Sequence, residues 1–258
     1  TMVYSLCSMY DPAHMHLYIL SLTSMTLGSL TAFPQVGDIA FEGEVVEIKR
    51  FLNMIYEEMH RRAYLFSKAS TDSFVEYNSA QYKRGEAPEP AIVIFVDRFA
   101  QLREIFATDD FYMNRIQILI QEGSGRGIHF IVTAMAKNEV PSKLHAFFGG
   151  VALQLKEKSD YTECIGKRVP YDMPMIAGFS GRGMGVLGNQ VYEIQLAMGG
   201  AAPEHSGEGF IALNNMERYA ITHALKAKAP LTDVDRAEKI TTYANQLETA
   251  WQGARPKG

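Results

Sequence analysis

One acidic side chain follows the most apolar stretch of the sequence. Residues 91–96 read AIVIFV and come after Pro88 and Pro90, a pattern that predicts a strand covered by helices on both faces. Asp97 comes next, at the carboxyl end of that strand, where open α/β sheets bind their ligands. Asp97 is therefore a candidate binding residue. The alternative is an ordinary core strand whose first loop residue is an aspartate.

Three further positions carry reactive or acidic side chains, and each has a simpler structural interpretation. His129 begins a predicted buried strand and has no Cys or His partner at metal-binding spacing, which favours a core histidine. Asp109 and Asp110 stand just before a helical run, where an N-cap and helix-dipole role is favoured. Ser180 lacks the strand, turn and helix that surround a nucleophilic serine.

The elements around Asp97 alternate between strands and helices. The sequence predicts strands at 16–20, 91–97, 128–134 and 151–155, with helices at 1–9, 44–66, 71–83, 99–106 and 110–122. This alternation favours an α/β fold with a mostly parallel central sheet and helices on both faces. A hairpin at 185–187 and 191–197 adds antiparallel edge strands, and helices at 221–229 and 233–251 form a C-terminal helical tail. Residues 21–40 are predicted as loops around a short helix, and 156–178 as irregular.

Two of the helices have clear amphipathic patterns. In 44–66 apolar residues recur every three or four positions, and the Lys, Arg and Glu residues opposite them are predicted to form a solvated face. The helix at 71–83 is predicted to begin at a cap formed by Thr71 and Asp72. We expect its aromatic residues Phe74, Tyr77 and Tyr82 to face the core.

Composition bounds the class of protein. The 258 residues are 47% hydrophobic and 21% charged, as in a globular protein with one large core. The net charge is −4, so no overall positive field attracts nucleic acid or an anionic membrane. Cys7 and Cys164 are isolated and suit a reducing cytosol. No apolar run reaches the roughly 18 residues of a membrane span, so any membrane anchor is expected outside this chain.

Several stretches, taken in order, resemble a known family. The succession IVIFVDRF, GRGIHFIVTA, VALQL, KSDYTECIGKR and SGRGMGVLGNQVYEIQLA is similar to the FtsK/SpoIIIE branch of P-loop ATPases. More narrowly, HLYILSL, LTAFPQVGDIA, MHRRAYLF, FVEYNSA and the ending AWQGARPKG resemble the multi-ATPase motor of type VII secretion systems, the EccC/EssC family. The resemblance covers nearly the whole chain. It implies a RecA-like P-loop NTPase fold, with ATP and Mg²⁺ as cofactors.

The resemblance assigns cofactor-binding roles to four positions. Asp97 matches the Walker B aspartate, which helps hold the Mg²⁺ that bridges the nucleotide phosphates. Thr1 lies just after the place of the Gly-rich Walker A loop, so the chain is expected to begin inside the helix which that loop starts. Thr133 and Met135 stand at the end of the next predicted strand, and the resemblance places a polar nucleotide sensor at Met135.

Three departures from the family pattern predict a degenerate site. The chain contains no Walker A loop. Active members place a Glu after the Walker B aspartate to position the attacking water, whereas Arg98 stands there and cannot act as a general base. Met135 replaces the polar sensor and cannot form a strong hydrogen bond with a γ-phosphate. No catalytic residue is assigned, and little or no hydrolysis is expected from this chain alone.

The resemblance also predicts how the chain is organised and what it binds. Residues 1–200 are expected to form the ATPase core, and 201–258 a C-terminal loop, helices and the start of a linker to a following module. Expected partners are neighbouring ATPase modules of the same polypeptide and small helical secreted proteins, with a hexamer as a candidate assembly. Met173 and Met175 are candidates for lining an adaptable peptide groove. The expected location is the cytoplasmic side of a bacterial membrane.

Three functions are open at this point. The first is a degenerate nucleotide-binding module, the second ATPase of its motor, that regulates or couples the motor and binds linker or substrate peptide. The second is an active, FtsK-like DNA-translocating ATPase, against which the missing Glu and the acidic balance count. The third is a peptide-binding module without nucleotide, because a fold does not determine a function.

Overall fold

A four-stranded parallel sheet forms the centre of the molecule. The structure is a computed structural model that describes residues 2–173, 181–196, 233–251 and 253–256, without the side chains of 233–237. The strands are β1 (Met15–Ser21), β2 (Val36–Phe41), β3 (Ala91–Asp97) and β4 (Ile128–Val132), in the order β2-β1-β3-β4. Each neighbouring pair is parallel, so β3 lies between β1 and β4, as its apolar sequence predicts.

Helices cover both faces of this sheet. Alternate residues of β1 serve two separate cores, because successive side chains of a strand point to opposite faces. Tyr18 and Leu20 pack on one side with three helices, and Leu17 and Ile19 pack on the other. The first core receives α2 (Val45–Lys68), α4 (Phe99–Ile105) and α5 (Asp110–Glu122); the second receives α1 (Met2–Met9), the 3-10 helix Met25–Ala32 and α7 (Asp233–Ala250).

A second, antiparallel sheet follows along the chain. Its strands are β5 (Val151–Leu153), β6 (Arg182–Leu187) and β7 (Gln190–Gln195), in that order. With α6 (Lys158–Ile165) they enclose a small core that includes Tyr161 and Met184. The predicted fold class, a parallel sheet with antiparallel strands at its periphery, is confirmed. β5 follows the parallel strands in sequence but pairs with the hairpin.

Two segments predicted as loops contain regular structure. All but the last residue of β2 lies within 21–40, where Gly37 and Asp38 interrupt the alternation that marks a strand in a sequence. Gly37 has a steric cause, since a Cβ there would lie 2.6 Å from the ring of Tyr18. α6 lies within 156–178, and its buried side consists of only Tyr161 and Ile165, too few for a periodic signal.

The helix α3 (Phe74–Arg84) differs from its prediction at both ends. Its N-cap is Ser73, whose hydroxyl accepts a hydrogen bond from the Glu76 N–H at 3.3 Å, so the predicted cap at Thr71 and Asp72 is wrong. Tyr77 is buried as predicted, but Tyr82 is 83% exposed. Five residues rotate a helix by about 140° beyond a full turn, which carries Tyr82 away from the core side.

Some predictions lie outside the residues that the structure describes. They are Thr1, Met175, Ser180, the helix at 221–229 and the domain boundary at residue 200. Across the described ranges, no helix has both the length and the apolar character that crossing a bilayer requires.

Arg62 is an exception to the solvated face predicted for α2. Its side chain is 1% exposed, and its guanidinium donates to the carbonyl of Pro90 at 2.7 Å and to that of Arg126 at 2.9 Å. Its Nε donates to Glu58 at 2.7 Å. Pro90 lies directly before β3 and Arg126 lies two residues before β4, so Arg62 joins α2 to the amino ends of both strands. Burial raises the pKa of Glu58, but hydrogen bonds from Arg61 and Arg62 outweigh burial and lower that pKa below its ordinary value.

We expect Arg62→Ala to lower the free energy of unfolding by roughly 3–5 kcal/mol, because it leaves buried acceptors unpaired. Urea unfolding at pH 7 measures the change. The matched control is Arg61→Ala, since Arg61 is exposed and pairs with Glu58 and Glu89; it should cost about 1 kcal/mol or less. The contribution of Glu58 is present above the ordinary pKa of about 4.3 and is lost as the pH falls through its lowered value. Equal losses in the two variants would contradict this account.

Candidate functional site

The carboxyl ends of β1, β3 and β4 meet at one edge of the parallel sheet, with Asp97 at its centre. Ser21 pairs in register with Asp97, and Val96 with Val132, so the segments after these strands lie side by side. Thr133 Oγ1 donates to Asp97 Oδ1 at 3.1 Å, and Thr23 Oγ1 donates to Oδ2. The carboxylate is therefore held by one hydroxyl from each neighbouring strand end.

The chain turns from β3 into α4 at Arg98, which has an unusual backbone conformation. Its φ of 66° and ψ of 87° fall in the left-handed region, which costs a residue other than glycine on the order of 1–3 kcal/mol. Thr133 supports the turn, because its Oγ1 accepts a hydrogen bond from the Arg98 N–H at 2.8 Å. The backbone of Thr133 also pairs with Val96 C=O and Phe99 N–H, each at 3.0 Å. Thr133 thus positions both the Asp97 carboxylate and the turn at Arg98.

The segment after β4 places a second carboxylate at this edge. Glu139 Oε2 accepts a hydrogen bond from the Met135 N–H at 2.9 Å, and Oε1 lies 4.0 Å from Arg98 Nη2. The Glu139 side chain is 19% exposed, and Arg103 donates to its backbone carbonyl at 3.0 Å. The side chain of Met135 is 74% exposed, so this residue contributes its backbone to the network rather than a polar side chain.

The structure brings most of the predicted site residues together. Asp97, Thr133, Met135 and Arg98 all lie at this edge, and Thr1 lies outside the described residues. Sequence reasoning missed Thr23 and Glu139. Thr23 had a signal, because it is a hydroxyl residue shortly after a predicted strand. Glu139 had none, since it lies seven positions past β4 in a segment without periodicity.

The donor set fits a metal ion that arrives with a nucleotide. Each oxygen of Asp97 accepts one hydroxyl and keeps a lone pair for a further ligand. Mg²⁺ is commonly held by one or two carboxylates together with substrate phosphates. No cluster of three or more metal-binding side chains occurs in the described part of the chain. The Nε of Arg98 is buried and has no hydrogen-bond partner among the described residues, which fits an anionic group at the same edge.

Three other titratable side chains lie elsewhere in the fold. Asp109 caps α5, as predicted, by accepting from the Tyr112 N–H at 3.4 Å, and its hydrogen bond with Lys49 lowers its pKa. His129 is exposed rather than in the core, because β4 has a neighbour on only one side among the described strands. Partial desolvation nevertheless lowers its pKa. Burial raises the pKa of Cys7 to about 12, which leaves an unreactive thiol.

A parallel sheet covered on both faces, with a braced aspartate at the end of an inner strand, is the arrangement of an α/β domain that binds its ligand at the carboxyl edge of the sheet. The sequence model of the FtsK/SpoIIIE family matches residues 1–160, and the chain belongs to that family.

Its relatives include components of ESX secretion systems. The chain is 27% identical over 179 residues to the ESX secretion system protein EccC of Geobacillus thermodenitrificans, covering 69% of this chain and 12% of that protein. Two solved structures share the fold over the whole chain. EssC (ATPases 2 and 3) from Geobacillus thermodenitrificans has a TM-score of 0.74 at 21% identity, with 42% of that chain covered. Thermomonospora curvata EccC (ATPases 2 and 3), in complex with a signal sequence peptide, has a TM-score of 0.71 at 20% identity, with 40% covered. The resemblance to EccC and EssC is confirmed, and the chain spans a small part of these relatives.

Replacing Thr133 with valine should destabilise the domain by roughly 1–3 kcal/mol, because the Arg98 N–H and one Asp97 oxygen lose a partner. Thr133→Ser keeps the hydroxyl and should recover most of that loss. Urea unfolding gives the free energies, and hydrogen exchange at the Arg98 amide reports the local bond. The assignment fails if the serine and valine variants lose the same stability and exchange at the same rate.

Proposed function

We propose that this chain is a nucleotide-binding module of a type VII secretion motor that holds Mg-ATP and hydrolyses it slowly or not at all. The observation that carries the proposal is the position of Asp97, which Thr23 and Thr133 brace at the carboxyl edge of the sheet. The next residue is Arg98, at the position where active members of the family are expected to carry a general base. The similarity to EccC and EssC supports the place in a secretion motor.

Slow turnover follows from the chemistry of the neighbouring side chains. A guanidinium stays protonated and cannot accept the proton of an attacking water. Glu139 is the nearby carboxylate, but its oxygens face the Met135 N–H and Arg98. Losing a general base typically costs about 10²- to 10⁴-fold in rate. We therefore expect turnover well below the roughly 1 s⁻¹ at the lower end of typical enzymes.

The module would act through its neighbours rather than through its own catalysis. We place it as the second ATPase of the motor, where it regulates or couples adjoining modules of the same polypeptide, with a hexamer as the candidate assembly. The site is then on the cytoplasmic side of a bacterial membrane, with the anchor in other segments. Translocation of DNA is disfavoured, because binding to phosphate backbones relies on positive charge and this chain carries −4.

A second proposed role is the binding of linker or substrate peptide. A cleft of about 240 Å³ lies between α5 and the 3-10 helix Ser142–Phe147. Half of its lining residues are apolar and half are polar or charged: Met113, Ile116, Pro141 and Leu144, with Asp110, Asn114, Gln117 and Lys143. That volume suits one or two apolar anchor side chains of a peptide. The signal sequence peptide bound to Thermomonospora curvata EccC supports a peptide role for this fold. Met173, a predicted groove residue, packs instead against the core of the second sheet.

We expect Asp97→Asn to weaken binding of Mg-ATP about tenfold or more, because a charged contact worth roughly 1.5–3 kcal/mol is lost and 1.4 kcal/mol corresponds to tenfold. Hydrogen exchange is followed in the natural full-length protein, over peptides that span 91–106, while Mg-ATP is titrated. These peptides report this site even where the protein has other nucleotide sites.

Asp160→Asn is the matched control for that experiment, since it makes the same change in the exposed first turn of α6. It should leave the titration unchanged. An Asp97→Asn protein that binds Mg-ATP as tightly as the parent would remove the assignment of Asp97.

The peptide role is tested by calorimetry with a C-terminal peptide of a substrate secreted by the same system. Met113→Lys should weaken binding about tenfold, because a charge would replace an apolar contact in the cleft. Val75→Lys makes the same type of change on the exposed side of α3 and should have no effect. Absence of binding to the parent at high micromolar concentration, or equal weakening by both variants, would overturn the peptide role of this cleft.

A further inference from the structure

The guanidinium of Arg98 is poorly paired for a charge held at the edge of a core. Its Nε is buried and makes no hydrogen bond to any described residue, and its Nη2 reaches only to 4.0 Å from Glu139 Oε1. That distance is the outer limit of an ion pair and is longer than a charge-assisted hydrogen bond, which is about 2.7–2.9 Å. The Arg98 side chain as a whole is 36% exposed, so an anion can reach the guanidinium nitrogens beyond the buried Nε.

The position of this cation is determined by the backbone. The left-handed conformation of Arg98 and the hydrogen bond from its N–H to Thr133 Oγ1 hold the start of the side chain beside Asp97. The same Thr133 hydroxyl donates to the Asp97 carboxylate. A ligand that binds Asp97 through a metal ion therefore lies at the same edge of the sheet as the Arg98 guanidinium.

Glu139 is an incomplete partner for Arg98. Its Oε2 is occupied by the Met135 N–H, and Oε1 alone faces the guanidinium. A guanidinium presents a planar fork of donors that matches a phosphate with two parallel hydrogen bonds. A phosphate group would thus satisfy donors that Glu139 leaves unpaired.

We propose that Arg98 binds the terminal phosphate of a nucleoside triphosphate, so that this site distinguishes ATP from ADP without hydrolysing either. The inference rests on the proposed function. Arg98 stands where the family resemblance expects a general base, and the proposal gives it a function of its own. Its charge prevents the activation of water, and the same charge stabilises the γ-phosphate. Glu139 holds Arg98 loosely in the absence of the phosphate and competes with it.

The test compares ATP and ADP affinities at this site in the natural full-length protein with Mg²⁺. Hydrogen exchange of peptides that span 91–106 and 128–140 is measured across a titration of each nucleotide. Arg98→Ala should weaken ATP about tenfold or more, the loss of one charge-assisted contact of roughly 1.5–3 kcal/mol, and should change ADP less than about twofold. Glu139→Gln should tighten ATP selectively, because it removes the competing charge.

Two further variants keep the result interpretable. Arg98→Gln retains the aliphatic stem and loses the charge, so it should reproduce the ATP-selective loss even where alanine disturbs the corner. Arg84→Ala removes a half-exposed arginine at the end of α3 and should change neither affinity.

The outcomes separate the two hypotheses. If neither nucleotide protects these peptides in the parent protein, the proposed function is wrong and this inference with it. If the parent is protected but both Arg98 variants weaken ATP and ADP equally, or weaken neither, the role of Arg98 is wrong and nucleotide binding stands.

Discussion

The burial of β3 on both faces and along both of its edges is the constraint on which the rest of the structure depends. β1 and β4 pair with it over its length, and helices cover the side chains on each face. A strand in that position can carry no polar side chain at low cost before its end. Asp97 is consequently the first place where the central strand can present a charge. The binding edge is thus a product of the same burial that stabilises the core.

The arginines at the two ends of β3 differ in how their donors are paired. At the amino end, Arg62 places a buried guanidinium against backbone carbonyls and Glu58, so its donors are paired within the fold. At the carboxyl end, Arg98 has a buried Nε without a hydrogen-bond partner among the described residues. Both are arginines within the same domain, but the guanidinium of Arg62 is paired within the fold, whereas the Nε of Arg98 is not paired with any described residue.

Thr133 supports both the backbone turn at Arg98 and the carboxylate of Asp97. Its hydroxyl accepts from the Arg98 N–H and donates to Asp97, while its backbone pairs with residues on either side of the corner. The strained conformation of Arg98 is maintained because these bonds jointly determine it. An acidic group, a basic group and a second acidic group, Glu139, then follow one another along the edge. Such an arrangement can bind a metal and an anion together.

The sequence by itself determined the elements that carry their own periodicity. The apolar run before Asp97 gave the central strand, and α5 begins and ends at the residues that the pattern indicated. The ordered motifs also gave the family and the substitution at Arg98. Each of these features is local, so a single segment contains the information.

Only the tertiary structure decided the contacts between segments. Thr23 donates to Asp97 across 74 positions of sequence, and Glu139, from the segment that follows β4, lies close to Arg98. β2 became a strand because β1 offered it an edge, although its own sequence reads as a loop. The sequence predicted that Arg62 would be solvated, but in the fold its guanidinium binds backbone carbonyls near the amino ends of β3 and β4. Periodicity reports which side of a segment is apolar, whereas the partner of a polar atom depends on which distant segment the fold brings within hydrogen-bonding distance.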